Sequence, residues 1–289
     1  MHKVRAGCAC GAVTTWKEAV VERGVAVVIE DDNDVRAALA AIFRQAGFAV
    51  HQASSGAEGL DQVRTHNPDI VTLDIGLPDF DGLEASRRIR TFSDAYVVII
   101  SGRADEADAL LGFEAGADDY IVKPFRAREL RARIKAMLRR PRASSPGGSG
   151  SSQGGATAGS GDGTSTREAT YDSFDYVHKG LALHEGTRQA AVDGVPVALT
   201  RSQFDILLVL MKKRRTIQAK ADLVRYLRHD SYDGSFVGAT EERAVEVHVS
   251  NLRKRLGENP RKPRWVETVH GVGYRLTPPV PRRQGRQQD

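Results

Sequence analysis

Cysteine is almost missing from this chain of 289 residues; Cys8 and Cys10 are the only two, and both precede the first apolar strand. Two cysteines cannot staple a chain of this length, so a disulfide scaffold is excluded and a reducing cytoplasm fits. With His2 they offer a partial metal-binding set, whereas a disordered extension, or a start placed too early, is the plainer reading of residues 1–23. Long hydrophobic runs are also lacking. No stretch approaches the roughly 18 apolar residues that span a bilayer, and Phe204–Met211 is already broken by Asp205. The N-terminus has no long apolar core and no small-residue cleavage site, so a secretory leader and a membrane partner are not expected. What is left is an ordinary globular composition, 40% hydrophobic and 27% charged, in a chain long enough for two domains.

The net charge of +5 is unevenly spread. Residues 1–164 carry 20 basic and 22 acidic side chains, and residues 165–289 carry 22 and 15. The excess of cations therefore lies in the second half, which is the half expected to meet a polyanion such as double-stranded DNA.

From Val25 to Arg140 short apolar runs alternate with helical patterns. Strands are expected at Val25–Ile29, Ala49–Gln52, Ile70–Leu73, Tyr96–Ile100 and Tyr120–Val122, with helical spacing in Val35–Phe43 and Leu83–Ile89. Three of these strands are largely apolar rather than alternating, which implies burial on both faces. Five βα units give an α/β doubly wound parallel five-stranded sheet. Residues 142–168 then turn into Gly, Ser, Ala and Thr with almost no apolar mass, the composition of a flexible tether spanning roughly 30 Å as a random coil. Beyond it come short alternating segments at Phe174–Val177, Leu181–Leu183 and Val195–Ala198. Helices are expected at Ser202–Lys212, Ala219–Leu227 and Glu242–Leu256, and a hairpin at Trp265–Val269 and Gly273–Leu276. Thr200 and Gln203 have capping-box spacing. Three helices and a closing hairpin make a winged helix-turn-helix α+β pattern. The expected divisions are 1–23, 24–141, 142–168, 169–280 and a tail at 281–289.

Charged and hydroxyl side chains fall at the carboxyl ends of several strands: Glu30 and Asp31, Asp74, Ser101 and Lys123. In a doubly wound sheet those ends converge on one pocket. Neighbouring carboxylates repel one another, and a divalent cation is the usual remedy. Mg²⁺ takes one or two carboxylates and completes its shell with water and phosphate oxygens. Lys123 adds a mobile positive charge, Ser101 a hydroxyl, and Gly102 room for backbone approach. Taken alone, Asp74 reads equally well as a structural strand-end carboxylate; the other positions favour a phosphoryl site.

The runs Val27–Asp32, Leu73–Pro78, Ile99–Gly102 and Ala117–Phe125 resemble a two-component receiver domain of flavodoxin-like fold. Together with Leu199-Thr200, Arg243–Val249, Leu252–Leu256 and Gly271–Arg275, the chain is similar to OmpR/PhoB-type response regulators over residues 24–140 and 170–278. The resemblance implies that Asp74 accepts a phosphoryl group from a sensor histidine kinase. It implies Mg²⁺ on Glu30, Asp31, Asp74 and the Gly76 carbonyl, with Asp32 as a further acid that does not ligate. Ser101 and Lys123 would meet the phosphate, Tyr120 would act as a switch, and Lys123-Pro124 is commonly a cis bond. Homodimers would form on phosphorylation through cross-subunit pairs Asp119–Arg133 and Asp118–Arg140. A third pair, to Glu129, lacks its base because Ala109 stands there.

In the last long helix, Val245, Val249, Leu252 and Leu256 share one apolar stripe at about 100° per residue. Arg243, Val247, Ser250 and Lys254 then face away from the core, flanked by Asn251, Arg253 and Arg255. A plain amphipathic surface helix has the same stripe, but the cations and small polar groups opposite it suit the major groove. In the family Arg275 of the wing approaches the minor groove or its phosphates, and Arg253 and Lys254 are expected on phosphates. Leu227 replaces a common tryptophan, and the loop His229–Thr240, which in the family often meets RNA polymerase, is longer than usual. The favoured function is a phosphorylation-dependent transcriptional regulator on direct-repeat DNA, not an enzyme. A phosphorylation-independent DNA-binding regulator that uses the first domain only to dimerise is the alternative. An aspartyl-phosphate phosphatase is disfavoured because Gly76 occupies the place of its general acid.

Overall fold

The computed structural model describes residues 23–138, 174–228 and 237–279. The expected tether, the cysteine-bearing extension, Arg140, the C-terminal tail and most of the loop 229–240 lie outside them.

The first half is a βα series: β1 (Gly24–Ile29), α1 (Asn33–Gln45), β2 (Phe48–Ala53), α2 (Gly56–His66), β3 (Ile70–Asp74), α3 (Gly82–Ile89), β4 (Tyr96–Ser101), α4 (Glu106–Glu114), β5 (Asp119–Val122) and α5 (Ala127–Leu138). All five strands are parallel, in the order β2-β1-β3-β4-β5. The strand alternation explains the layers. Val27, Ile29, Val71, Leu73, Val97 and Ile99 point to one face and pack with Leu60, Val63, Leu83 and Ile89 of α2 and α3. Ala26, Val28, Ile70, Val98 and Ile100 point to the other and meet Leu39 and Phe43 of α1 and Leu130 and Ile134 of α5. Each large side chain among them, fully buried, contributes about 1.5–3 kcal/mol relative to exposure. The strand order reverses between β1 and β3, which opens the crevice where their terminal acids lie.

The second half opens with an antiparallel sheet of β6 (Tyr176–His178), β7 (Leu181–His184), β8 (Gln189–Val192) and β9 (Val195–Pro196). Its first and last turns, Lys179-Gly180 and Asp193-Gly194, have positive φ at both residues, as two-residue hairpin turns of the favoured hand require. Then come α6 (Arg201–Lys213), β10 (Gln218–Ala219), α7 (Lys220–Arg228), α8 (Ala239–Leu256), β11 (Val266–Val269) and β12 (Gly273–Leu276). The expected capping box is present: Gln203 N–H donates to Thr200 Oγ1, and Thr200 N–H to Gln203 Oε1 at 3.1 Å. Val245, Val249, Leu252 and Leu256 are buried with Phe204, Leu207, Leu223 and Trp265 in one core, as the helical stripe requires. Gly273 lets β12 lie against β10, because a Cβ there would sit 1.9 Å from the Gln218 carbonyl oxygen.

The two halves pack together, mainly through α4 and α8. Arg243 pairs with Glu106 at 2.6 Å, and Asn251 Nδ2 donates to the Phe113 carbonyl at 3.2 Å. Ala109, Phe113 and Ala244 form a small buried cluster with Tyr120 and Val247 against it. Beside it the start of α6 meets the first half: Arg201 pairs with Asp69, and Ser202 N–H donates to Asp118 Oδ1 at 3.2 Å.

Candidate functional site

Each member of the strand-end set is placed by the sheet. Glu30 follows the last residue of β1, Asp74 ends β3, Ser101 ends β4 and Lys123 follows β5. Parallel pairing in register brings these ends to one edge. Carboxylate oxygens of Glu30, Asp31 and Asp74 lie within 4.8 Å of one another. Lys123 Nζ donates to Glu30 Oε1 at 2.8 Å and stands 3.3 Å from Asp74 Oδ1. Burial pushes the Glu30 carboxyl above its usual range, with the Asp74 charge acting the same way against the pull of Lys123. Burial opposes the Lys123 charge, yet Glu30 and Asp74 outweigh it and hold the ammonium above its ordinary value.

The loops fix this geometry. The Lys123-Pro124 peptide is cis. Asp74 Oδ1 accepts from the N–H of Ile75 at 2.8 Å. Asp79 accepts from the N–H groups of Gly56 and Ala57, which pins the loop after β3 to the start of α2. Gly82 permits the close return of α3, since a Cβ there would stand 2.0 Å from the Asp74 carbonyl oxygen. Asp32 turns away from the cluster and caps α1, accepting from Asp34 N–H and Val35 N–H. Gly76 is exposed beside Asp74, its place for a Cβ open to within 3.6 Å of Asp74 Oδ2. Ser101 is buried and its Oγ accepts from Arg103 N–H. The half-buried Tyr120 donates its hydroxyl to the Arg103 carbonyl at 2.9 Å.

The donor set fits a hard divalent cation. Three carboxylates face one another beside the Lys123 ammonium, and among the described residues Glu30 Oε2 is buried without a hydrogen-bond partner. An oxygen-seeking ion with room for water ligands satisfies that atom and relieves the repulsion.

Residues 26–135 match the family described as response regulator receiver domain, and residues 194–276 the one described as transcriptional regulatory protein, C terminal. The transcriptional regulatory protein AfsQ1 of Streptomyces coelicolor is 33% identical over 253 residues, covering 88% of this chain and 98% of its own. The chain belongs to the OmpR/PhoB-type response regulators. Transcriptional regulatory protein PrrA of Mycobacterium leprae is 36% identical over 251 residues, 86% of this chain and 94% of its own. A solved structure of a RitR mutant has the same fold, with a TM-score of 0.61 at 18% identity over 88% of this chain and 99% of that one. The family is one of DNA-binding transcriptional regulators, so the phosphatase reading is set aside. No helix among the described residues is long and apolar enough to cross a membrane.

In this response regulator the structure redistributes several expected contacts. Arg243, Ser250 and Lys254 of α8 are exposed, whereas Val247 and Asn251 are half-buried under α4. Arg253 is a correction. It is 8% exposed and donates to the Val266 carbonyl and Thr268 Oγ1 at 2.7 and 2.9 Å, so it ties α8 to the wing instead of facing a phosphate. Arg275 is half-buried and paired with Glu267 across the hairpin at 2.8 Å.

The dimer set is also rearranged. Inside one chain Arg133 pairs with Asp119 of β5 at 2.6 Å and, one turn away on α5 itself, with Glu129 at 3.1 Å. Asp118 does not point outward. Its buried carboxylate holds Arg90 at 2.5 Å and accepts from Val97 and Ser202 N–H groups. Sequence reasoning missed Glu106 and Phe113, which bring the halves together, and Arg90, whose guanidinium holds Asp118 within the first half. Their partners are remote in sequence, and no local pattern announces them.

Proposed function

We propose that this protein is a phosphorylation-dependent transcriptional regulator whose receiver accepts a phosphoryl group on Asp74 from a sensor histidine kinase in the cytoplasm. The carrying observation is the convergence of Glu30, Asp31 and Asp74 within 4.8 Å, with Lys123 between two of them. An Asp74 carboxylate oxygen attacks phosphorus, the bond from phosphorus to the histidine nitrogen breaks, and the imidazole leaves with the electron pair. Glu30, Asp31, Asp74 and the Gly76 carbonyl would hold Mg²⁺, which supplies charge neutralisation for the phosphoryl oxygens. Lys123 contributes a second positive charge from the chain itself, and the Ser101 hydroxyl a hydrogen bond to the phosphoryl group. Tyr120, paired with Ile99 two residues before Ser101 on the neighbouring strand, reports that change to the α4–β5–α5 face.

Phosphorylation shifts an existing equilibrium toward a homodimer that places two winged helices on direct-repeat DNA. Arg243, Val247, Ser250, Asn251 and Lys254 read or hold the major groove, and Arg275 the adjacent backbone. The receiver's Asp119, Glu129 and Arg133, with Arg140, supply charges to the dimer face, whereas Asp118 stays with Arg90 inside the receiver. RNA polymerase is the partner proposed for the segment between α7 and α8. The test is incubation with radiolabelled acetyl phosphate and Mg²⁺. The parent takes up label and Asp74→Asn does not; equal labelling of the two rejects the acceptor.

A further inference from the structure

We infer that Arg36 is a positioning residue for the acidic pocket: its guanidinium clamps the main chain that carries Glu30 and Asp31, and so sets the affinity of the pocket for Mg²⁺. This role rests on the proposed Mg²⁺ site and deepens that reading by naming a group that touches neither the ion nor the phosphoryl group.

The chain between β1 and α1 needs such a tie. The ladder of β1 ends at Ile29 against both of its neighbours, and Glu30 keeps one further sheet bond, from its N–H to the Ala53 carbonyl. Glu30 and Asp31 therefore lie on the first peptides past the sheet, where register no longer fixes the carbonyls. A carboxylate is no better placed than the peptide that bears it. Two braces hold this turn. Asp32 caps α1, accepting from Asp34 N–H and Val35 N–H. Arg36, in the first turn of α1, reaches back: its Nη1 donates to the Glu30 carbonyl at 2.6 Å and to the Asp31 carbonyl at 3.0 Å, and its Nη2 donates to Asn33 Oδ1. The guanidinium thus spans the two consecutive residues that supply two of the three converging carboxylates.

The residue type matters here. Arginine serves these three acceptors at once through a rigid planar fork, whereas a lysine ammonium is a point charge on a flexible stem. Hydrogen bonds from a cation to a carbonyl are also stronger than neutral ones. Charge acts on the ion in the opposite sense. The guanidinium and Mg²⁺ repel each other, so deleting the positive charge by itself would tighten binding. Loss of the clamp and loss of the charge therefore move the Mg²⁺ affinity in opposite directions, and one measurement separates them.

The test titrates Mg²⁺ into the full chain by isothermal calorimetry and records the melting temperature of the metal-free protein alongside. Arg36→Lys keeps the charge and loses the fork, and Arg36→Met loses both. Each is expected to raise the Mg²⁺ dissociation constant by about tenfold, the low end of the range for groups that orient metal ligands. Asn33→Ala leaves Arg36 in place but removes one of its anchors, and should raise the constant by roughly two- to threefold, the size of one neutral hydrogen bond. Parental or tighter binding by either Arg36 variant overturns the inference. So does a lowered metal-free melting temperature with a parental dissociation constant, which marks a bond that serves the fold alone. If the parent and Asp31→Asn bind Mg²⁺ equally, the acidic site itself fails and the clamp falls with it.

Discussion

Glu30 and Lys123 stand 93 residues apart in the chain and meet at 2.8 Å, the ammonium reaching Asp74 as well. Among the described residues, Lys123 is thus the one cation paired with these three facing carboxylates.

Replacing it tests that arrangement. Lys123→Met should destabilise the metal-free protein by about 1–3 kcal/mol, the range for stranding buried polar or charged groups. Mg²⁺ at 100 times its dissociation constant should raise parent stability by about 2.7 kcal/mol. Calorimetry across a Mg²⁺ titration measures both effects, and Asp31→Asn should abolish the second. A full Mg²⁺ shift in Asp31→Asn would place the ion elsewhere.

The pair of Asp118 and Arg90 is buried on both sides. Removing one partner leaves the other charge stranded, so Asp118→Asn should cost about 3–5 kcal/mol of receiver stability. It should also weaken the contact with α6, because the single amide oxygen of asparagine cannot serve both the Ser202 N–H and the Arg90 and Val97 donors. Urea unfolding gives the first, and small-angle scattering, through a larger radius of gyration, the second. An Asp118→Asn protein with parental stability and dimensions would contradict both.

Acid should open the halves. Burial holds His248 below its ordinary pKa; Asp118 and Asp119 oppose that effect and Arg90 adds to it. The closed form therefore binds fewer protons at His248 than the open form. Its advantage is full above the ordinary histidine value of about 6.5 and is lost as pH falls below it. Burial works against the Asp118 charge, but Arg90 and its hydrogen bonds hold its pKa below the usual carboxylate range, so that pair persists until more acid conditions. Fluorescence transfer between labels on the two halves should fall between about pH 7 and 5.5, and His248→Phe should flatten the profile. An unchanged profile in that variant would assign the opening to another group.

Arg253 and Lys254 are neighbours with separable roles. Arg253→Ala should lower stability by about 1–3 kcal/mol because the Val266 carbonyl and Thr268 lose a buried donor. Lys254→Ala should leave stability within about 0.5 kcal/mol and reduce the salt slope of DNA binding by roughly one. Salt titrations and thermal melts on both variants decide; a reduced slope for Arg253→Ala at parental stability would return it to the phosphates.

The pocket was legible because its chemistry sits where apolar runs stop. Asp74, Glu30 and Lys123 each close or follow a strand of the buried sheet, and parallel register alone brings such ends together. The α8 stripe was legible for a similar reason, since Val245, Val249, Leu252 and Leu256 repeat at helical spacing into one core. Strand β8 was less visible. Its alternation is short, and the Asp193-Gly194 turn was the signal that would have exposed it. Arg253 misled because charge is not exposure: its guanidinium is drawn inward by two buried acceptors on another element. The α4–α8 contact left no trace in local sequence, since complementarity between remote surfaces has no period.

Gly82 carries a consequence for how this domain can vary. With only 2.0 Å between a built Cβ and the Asp74 carbonyl oxygen, even alanine must displace the main chain of the proposed acceptor. Drift at this position is therefore closed to every side chain unless the loop is rebuilt around it. A methyl group placed there would act as a wedge, shifting the carboxylate relative to Lys123 before altering any charge.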